Sequence, residues 1–90
     1  MDFEWDEAKN EANRLKHGID FADAVAIFQG PVVTWHDMRM SYGELREISI
    51  GAMANAVIVT LVHTDRSGRR RIISARRASR RERIVYETAL

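Results

Sequence analysis

The sequence predicts an α+β fold with two N-terminal helices, an antiparallel β-sheet of about four strands and a C-terminal helix. Apolar residues follow helical spacing up to Phe28, then alternate or form runs between residues 32 and 75, as in strands. Ser79 and Glu82 have the spacing of a capping box, which marks a helix start. Ninety residues without cysteine suit one domain, residues 1–90, without disulfides or a cysteine-based zinc site.

A short first strand and a first helix are predicted at the N-terminus. Phe3 and Trp5 alternate with acidic residues, as in a strand with one buried face. The helix follows from Asp6, and Gly18 supplies the left-handed residue that commonly ends a helix. Two stripes share the helical spacing, one apolar (Ala8, Ala12, Leu15) and one polar (Lys9, Asn13, Lys16).

The second helix is predicted to be the more buried of the two. Asp20 is a suitable N-cap whose carboxylate would accept from the backbone N–H of Asp23. Gly30 and Pro31 end the helix. Its apolar face is broad and comprises Phe21, Ala24, Val25, Ile27 and Phe28.

Strands are predicted for the middle of the chain, at residues 32–35, 45–53, 56–64 and 70–75. Residues 36–43 are polar and indicate a loop. Tight connections are expected at residues 54–55, where Asn55 can adopt positive φ, and at residues 65–68. Short connections between the last three strands favour an antiparallel meander. The final helix opens at Ser79.

The charge is segregated along the chain, although the net charge is only +1. Residues 1–30 carry a net charge of −4 and residues 31–65 carry −2, whereas residues 66–83 contain nine arginines and one glutamate, a net of +8. This arginine stretch predicts a surface that attracts a polyanion. The acidic N-terminus does not resemble a signal peptide, and the longest apolar run is too short to cross a bilayer. A cytoplasmic protein without membrane contact is expected.

RNA is the best candidate for that polyanion, because guanidinium groups donate two hydrogen bonds to a phosphate and also stack on bases. Alternation along the last strand is expected to place Arg70 and Arg76 on one face, with Arg69 and Arg71 on the other. Arg77 and Arg81 are expected one helical turn apart, as are Arg76 and Arg80 if the helix starts early. A solvated surface with ion pairs to the acidic half is the structural alternative. The predicted RNA-binding residues are Arg66, Arg69, Arg71, Arg77 and Arg81.

The three histidines have no spacing typical of a metal site, so no metal and no cofactor are predicted. His63, at a strand end, suits a structural or half-buried role. His17 lies beside Lys16 at a helix C-terminus, where the helix dipole favours positive charge. A cationic His17 could act as a general acid or bind phosphate, or it could only stabilise the helix. Nucleophilic triads and glycine-rich phosphate loops are absent.

Two stretches of the sequence resemble the BrnT family of toxins. The first comprises residues 3–6, Lys9, Asn13, residues 16–19, Phe21 and Ala24; the second comprises residues 71–76, Ala78, residues 81–83, Tyr86 and Glu87. The match is weakest between residues 30 and 60. The resemblance implies a RelE-like α/β fold and a ribonuclease toxin of a type II toxin–antitoxin system. It further implies a BrnA-like antitoxin partner with a ribbon-helix-helix domain, and contact with operator DNA only through that antitoxin.

The resemblance also implies an active surface that contains Lys16, His17, Arg76 and Arg80. In RelE-like enzymes, basic side chains without metal orient the RNA 2′-OH and stabilise the developing charge. Arg76 and Arg80 would stabilise the phosphorane, and Lys16 or His17 would assist proton transfer on free or ribosome-associated RNA, inhibiting translation. Leu15 stands where a basic residue is frequent in relatives. Two other functions stay open: a non-catalytic nucleic-acid-binding module, and a basic protein-interaction domain with an acidic partner.

Overall fold

The structure, a computed structural model, describes residues 1–39 and 43–90. Five strands form one sheet: β1 (Asp2–Trp5), β2 (Val33–His36), β3 (Glu47–Ala52), β4 (Ile58–Arg66) and β5 (Arg69–Arg77). The helices are α1 (Glu7–His17), α2 (Phe21–Ala24), a 3₁₀ helix (Val25–Gln29) and α3 (Arg80–Ala89). Residues 37–39 of the predicted loop lie in no strand or helix, and residues 40–42 lie outside the described residues.

The sheet is mixed, with strand order β1-β5-β4-β3-β2. Four strands form the expected antiparallel series, but β1 adds a fifth and pairs with β5 in parallel, from Asp2 opposite Arg69 to Trp5 opposite Ile72. The short first strand was predicted, but the sheet has five strands and not about four, and the prediction of an antiparallel sheet was wrong at this edge. The pairing joins the two ends of the chain, so no local spacing indicates it.

The predicted second helix divides into two short pieces. α2 is a single turn, and the chain continues as the 3₁₀ helix up to Gln29. Asp20 caps α2 as expected, but its carboxylate accepts from the N–H of Ala22 and not from that of Asp23. The segment is the more buried one, as predicted. Ile27 packs so closely on Gly51 that a Cβ there would lie 2.7 Å from Ile27 Cβ.

Two turns connect the central strands. In the β3–β4 connection, Ala56 adopts the positive φ of 68° that was expected of Asn55. Asn55 instead accepts the N–H of Val57 through its side chain. The β4–β5 hairpin turns at Ser67 and Gly68, both with positive φ, as two-residue hairpin loops require.

Helices cover both faces of the sheet and create two cores. The larger core lies under α1, α2 and the 3₁₀ helix, and it contains Phe21, Ile27, Leu61 and Ile72. The smaller one lies under α3, where Tyr86 and Ala78 pack on Ile50. Ile50 and Gly51 are adjacent in β3 but face α3 and the 3₁₀ helix respectively, which identifies the α3 face and the α1 face of the sheet.

α1 docks on the sheet through asparagines, contrary to its sequence pattern. The boundaries are as predicted: Asp6 caps the start, and Gly18 ends the helix with φ of 71°. The apolar stripe of Ala8, Ala12 and Leu15 is nevertheless exposed, whereas Asn10 and Asn13 are buried. Hydrophobic spacing is thus a poor guide to the orientation of α1, because the contact it makes is polar.

Asn13 explains that orientation. Its Nδ2 donates to the Ala75 carbonyl (2.8 Å) and to the Ile19 carbonyl (3.1 Å), while its Oδ1 accepts the Ala75 N–H (3.0 Å). β1 pairs with β5 only as far as Ile72, so the buried backbone of Ala75 has no strand partner on that side. The Asn13 amide takes the place of that missing partner. Asn10 similarly accepts the Phe21 N–H (2.9 Å).

His63 is fully buried in β4, which fits the structural alternative expected of it and not the half-buried one. Its Nε2 lies 2.7 Å from Ser49 Oγ, which lies 2.7 Å from Thr34 Oγ1. Its Nδ1 has no hydrogen-bond partner in the described part of the chain. Burial, with a smaller contribution from the positive charge of Arg70, lowers the pKa of His63 to about 4 from 6.5. The ring is therefore neutral at physiological pH.

We predict that Asn13→Ala lowers the free energy of unfolding by about 2–4 kcal/mol, because it leaves the Ala75 N–H and carbonyl unpaired in a buried place. Urea unfolding followed by circular dichroism measures the change. Lys9→Ala, an exposed substitution in the same helix, is the control and should change stability by no more than about 0.5 kcal/mol. Equal stability of the two variants would contradict the role of Asn13.

We also predict that stability falls as the pH drops from about 6.5 towards about 4. The unfolded chain protonates His63 near 6.5 and the folded chain only near 4, so the unfolded state binds more protons in this window. His63→Gln should flatten this part of the profile, which spans up to about 3 kcal/mol. Urea midpoints between pH 7 and 4 test it, with the exposed His36→Gln as control. Equal slopes for wild type and His63→Gln would refute the assignment.

Candidate active site

A β-bulge decides which way the arginines of β5 point. The β4–β5 pairing shifts register between Val62 and His63, so that Val62 faces Ser74 but His63 faces Ile72. The extra residue of β5 at this position reverses the alternation of side chains beyond it. Arg70 consequently lies on the α1 face, with its guanidinium 4.8 Å from the Phe28 ring. Arg76 lies on the α3 face, so the prediction that these two share a face was wrong.

Arg76 is the centre of a polar junction between β4, β5 and α3. Its guanidinium forms a bidentate pair with the Glu82 carboxylate: Nη1 donates to Oε1 (2.7 Å) and Nη2 donates to Oε2 (2.8 Å). Glu82 Oε1 also accepts from the Ser79 N–H (2.8 Å) and from Thr60 Oγ1 (3.1 Å). Ser79 Oγ accepts the Glu82 N–H in return, which completes the predicted capping box. The junction fixes the start of α3 on the sheet.

These contacts determine the charge states of the pair. The Arg76 hydrogen bonds, followed by the capping bonds, lower the pKa of Glu82 to about 2. Hydrogen bonding to Glu82 raises the pKa of Arg76 further. A carboxylate that is so acidic and already accepts several hydrogen bonds is a poor general base. Glu82 therefore positions Arg76 and is not suited to take a proton from a hydroxyl.

α3 begins at Arg80, so Arg76 and Arg77 belong to β5. The expected helical pairs Arg76–Arg80 and Arg77–Arg81 are therefore absent. Arg80 and Arg81 occupy the first turn of α3 and are exposed, without an ion pair in the described part of the chain. Since positive charge opposes the dipole at a helix N-terminus, these two arginines do not stabilise α3.

Four of the nine arginines in the stretch form ion pairs, namely Arg66 with Glu44, Arg70 with Asp65, Arg71 with Glu4 and Arg76 with Glu82. Among the described residues no ion pair is found for the other five. These are Arg69, Arg77, Arg80, Arg81 and Arg83. The structural alternative of ion pairing thus accounts for part of the stretch, and a basic surface remains.

The candidate residues of α1 and β5 are divided between the two faces of the sheet. Lys16 is exposed and His17 half-buried in the last turn of α1, as predicted. α1 packs on the face opposite to the Arg76 guanidinium. Arg77, two residues beyond Ala75, shares the α1 face. The structure therefore brings Arg76 and Arg80 to one junction but does not join them to Lys16 and His17 by any contact.

Arg39 is a basic residue near this junction that sequence analysis did not identify. Its positive charge lies close enough to Arg76 to offset a small part of the rise in the Arg76 pKa that Glu82 causes. Asp37, whose side chain is fully buried, holds it through two 2.8 Å hydrogen bonds. The Asp-x-Arg spacing is the signal in the sequence, but it is too common to single out one residue.

The structure gives no group of three or more metal-binding side chains within residues 1–39 and 43–90. None of the helices in these ranges is long and apolar enough to span a membrane. The basic junction, by contrast, gathers donors that suit phosphate oxygens.

We compared the chain with known protein families and with solved structures. Residues 5–82 match the family described as the ribonuclease toxin, BrnT, of type II toxin–antitoxin systems. The chain belongs to the BrnT family. The Brucella abortus ribonuclease toxin BrnT, solved by crystallography, is 28% identical, with a TM-score of 0.66 over 89% of this chain and 99% of that one. None of the curated proteins matches this chain.

Membership of the BrnT family confirms the resemblance derived from the two sequence stretches. The family match ends at Glu82, so it includes the acid of the polar junction as well as Arg76 and Arg80. The shared fold is the α+β arrangement of a mixed five-stranded sheet with helices on both faces.

We predict that Glu82→Gln lowers the free energy of unfolding by about 1–3 kcal/mol at pH 7, because it leaves Arg76 without its charged partner. It should also remove the loss of stability that wild type shows as the pH falls from about 4.5 through about 2, where Glu82 protonates. Urea unfolding at pH 7 and pH 3 measures both effects. Glu87→Gln, in the same helix, should change neither, and equal effects of the two variants would contradict the prediction.

Proposed function

We propose that this BrnT protein is a metal-independent endoribonuclease toxin that cleaves RNA and thereby inhibits translation. The observation that carries the proposal is the group of arginines without ion pairs at the β5–α3 junction, in a chain whose family is described as ribonuclease toxins. Four arginines of the stretch, Arg76 among them, form ion pairs within the fold, and the other five have no ion pair among the described residues and are available to an external anion.

The chemistry needs three contributions from the protein. The RNA 2′-OH attacks the adjacent phosphate and loses its proton, the bond to the 5′-oxygen breaks, and that oxygen gains a proton. Negative charge accumulates on the phosphate oxygens in the transition state. Cationic donors placed at these oxygens lower the barrier, and each such donor is worth roughly a hundredfold or more in rate.

Arg76 and Arg80 supply that charge stabilisation in our proposal. Arg76 is already oriented by Glu82, and 41% of its side chain remains exposed to solvent. Arg80 begins α3 and is unpaired among the described residues, so it is free to approach the phosphate. Arg39 adds positive charge near Arg76.

Lys16 or His17 would assist proton transfer from the other side of the sheet. Their position relative to β5 depends on the Asn13–Ala75 hydrogen bonds, since His17 lies one helical turn beyond Asn13 and Arg77 lies two residues beyond Ala75. An RNA strand that crosses the C-terminal end of β5 would meet Arg77 between the two groups. Of the remaining predicted contacts, Arg69 and Arg81 have no ion pair among the described residues and would bind flanking phosphates. Arg66 and Arg71 are paired with Glu44 and Glu4, so RNA would have to compete with these carboxylates to reach them.

The proposed cellular setting is that of a type II system. A BrnA-like antitoxin would neutralise the toxin in the cytoplasm, and the complex would bind operator DNA through the antitoxin and repress its own operon. The alternative is a non-catalytic RNA-binding module, which the engagement of Arg76 by Glu82 favours. RNA binding without new RNA ends would identify the alternative.

We predict that the purified protein generates defined RNA ends in a translation extract. Excess EDTA should not reduce its cleavage of naked RNA, and naked RNA is used for this test because removal of Mg²⁺ would also disrupt ribosomes. The substitutions Arg76→Ala, Arg80→Ala and His17→Ala should each lower the cleavage rate by about tenfold to a thousandfold, because each removes a donor at the phosphate or the proton-transfer group. Primer extension maps the ends. Arg14→Ala, an exposed arginine on α1 paired with Glu11, is the control and should retain activity within about twofold.

Full cleavage by Arg76→Ala or by His17→Ala would remove that residue from the mechanism. Inhibition of translation without new RNA ends would contradict direct cleavage. Gel-shift assays on the same variants separate binding from chemistry. A variant that loses a phosphate contact should bind RNA more weakly and with a shallower dependence on salt, because fewer counterions are released on binding.

A further inference from the structure

The outward face of α3 combines exposed aliphatic side chains with arginines. Within α3 only Glu82 and Tyr86 are turned to the sheet, one helical turn apart, and Tyr86 donates its hydroxyl proton to the Pro31 carbonyl (3.2 Å). The helix thus leaves most of its surface uncovered. Ile84 is 54% exposed and Val85 44% exposed.

Helical spacing places the two aliphatic side chains next to two arginines in one continuous strip on the outward side of α3, formed by Arg80, Arg81, Ile84 and Val85. Arg80 lies four residues before Ile84 and Arg81 four residues before Val85, so each aliphatic side chain has an arginine beside it on the same side of the helix. Neither arginine has an ion pair within the described ranges. The strip therefore offers apolar contact and two free cations side by side.

Neither the stability of α3 nor RNA binding explains this combination. Arginines in the first turn oppose the helix dipole, and the half-exposed side chains of Ile84 and Val85 gain only part of the stabilisation that full burial would give. RNA would use the arginines but has no use for Ile84 and Val85 between them. An acidic and aliphatic protein segment would complement both parts of the strip, and its carboxylates would also be attracted by the N-terminal end of α3.

We propose that the outward face of α3 docks an amphipathic segment of the antitoxin that carries aliphatic side chains flanked by Asp or Glu. This inference rests on the proposed function, because it assumes that an antitoxin exists. A second copy of this chain fits less well. Its α3 offers only Glu87 as an acid outside the junction, against Arg80, Arg81 and Arg83.

The docked segment would neutralise the toxin by direct competition. Its carboxylates would occupy Arg80 and Arg81, which RNA needs, while Ile84 and Val85 supply contact that RNA cannot match. Antitoxin binding and RNA cleavage thereby become mutually exclusive at the same first turn of α3. Loss of the aliphatic contact alone should weaken the antitoxin and spare the RNA.

The test is a calorimetric titration of the toxin with the protein encoded by the reading frame next to its gene. The variant is Ile84→Ser combined with Val85→Ser, which changes no charge. Leu15→Ser is the matched control, since Leu15 is a 74% exposed aliphatic residue on α1, at the opposite face of the sheet. We expect the double variant to bind at least tenfold more weakly and the control to bind within twofold of wild type, with unchanged thermal melting and unchanged RNA cleavage for both.

Unchanged affinity of the double variant would overturn the inference, as would a larger loss for Leu15→Ser. Concentration-dependent self-association of the toxin that the double variant abolishes would assign the strip to a second copy and overturn it too. Absence of any binding by wild type would also overturn it. RNA cleavage, assayed in parallel on the free toxin, reports separately on the proposed function, so the two failures are distinguishable.

Discussion

The hydrogen bonds between Asn13 and the backbone of Ala75 hold the N-terminal half of this protein to its C-terminal half. They join residues 62 positions apart and satisfy a strand edge that β1 is too short to cover. The orientation of α1 follows from them, and with it the location of Lys16 and His17 in its last turn. Because a buried amide must be satisfied at both its donor and its acceptor, the geometry of this contact leaves α1 little freedom.

A second polar junction, around Glu82, has a comparable role on the other face. It anchors α3 through Arg76, Thr60 and the capping box, so the arginines at the start of α3 have a defined direction. The ion pair between Arg76 and Glu82 also neutralises part of the positive charge of the arginine stretch. The fold thereby divides its arginines into those that hold the structure together and those that remain open to an anion.

This division matters for function because the two groups differ in freedom as well as charge. Arg76 is oriented in advance by its carboxylate partner, which suits a donor that must meet a transition state. Arg80 and Arg81 have no such partner in the described ranges and occupy a turn where their charge is unfavourable to the helix. Unfavourable charge that the fold retains is typical of a binding surface, whether the occupant is RNA or an acidic protein segment.

Local spacing was sufficient for the elements that local contacts stabilise. The sequence by itself determined the boundaries of α1 between Asp6 and Gly18, the capping box of α3, the strands and the basic character of residues 66–83, since caps, alternation and charge operate over a few residues. Only the tertiary structure decided the parallel β1–β5 pairing, the bulge that separates Arg70 from Arg76, and the burial of Asn13 in place of Leu15. The reason is that each of these depends on how the backbone hydrogen bonds of separate elements are paired. Leaving the buried backbone of Ala75 unpaired would be costly, and hydrophobic spacing within α1 carries no information about that need.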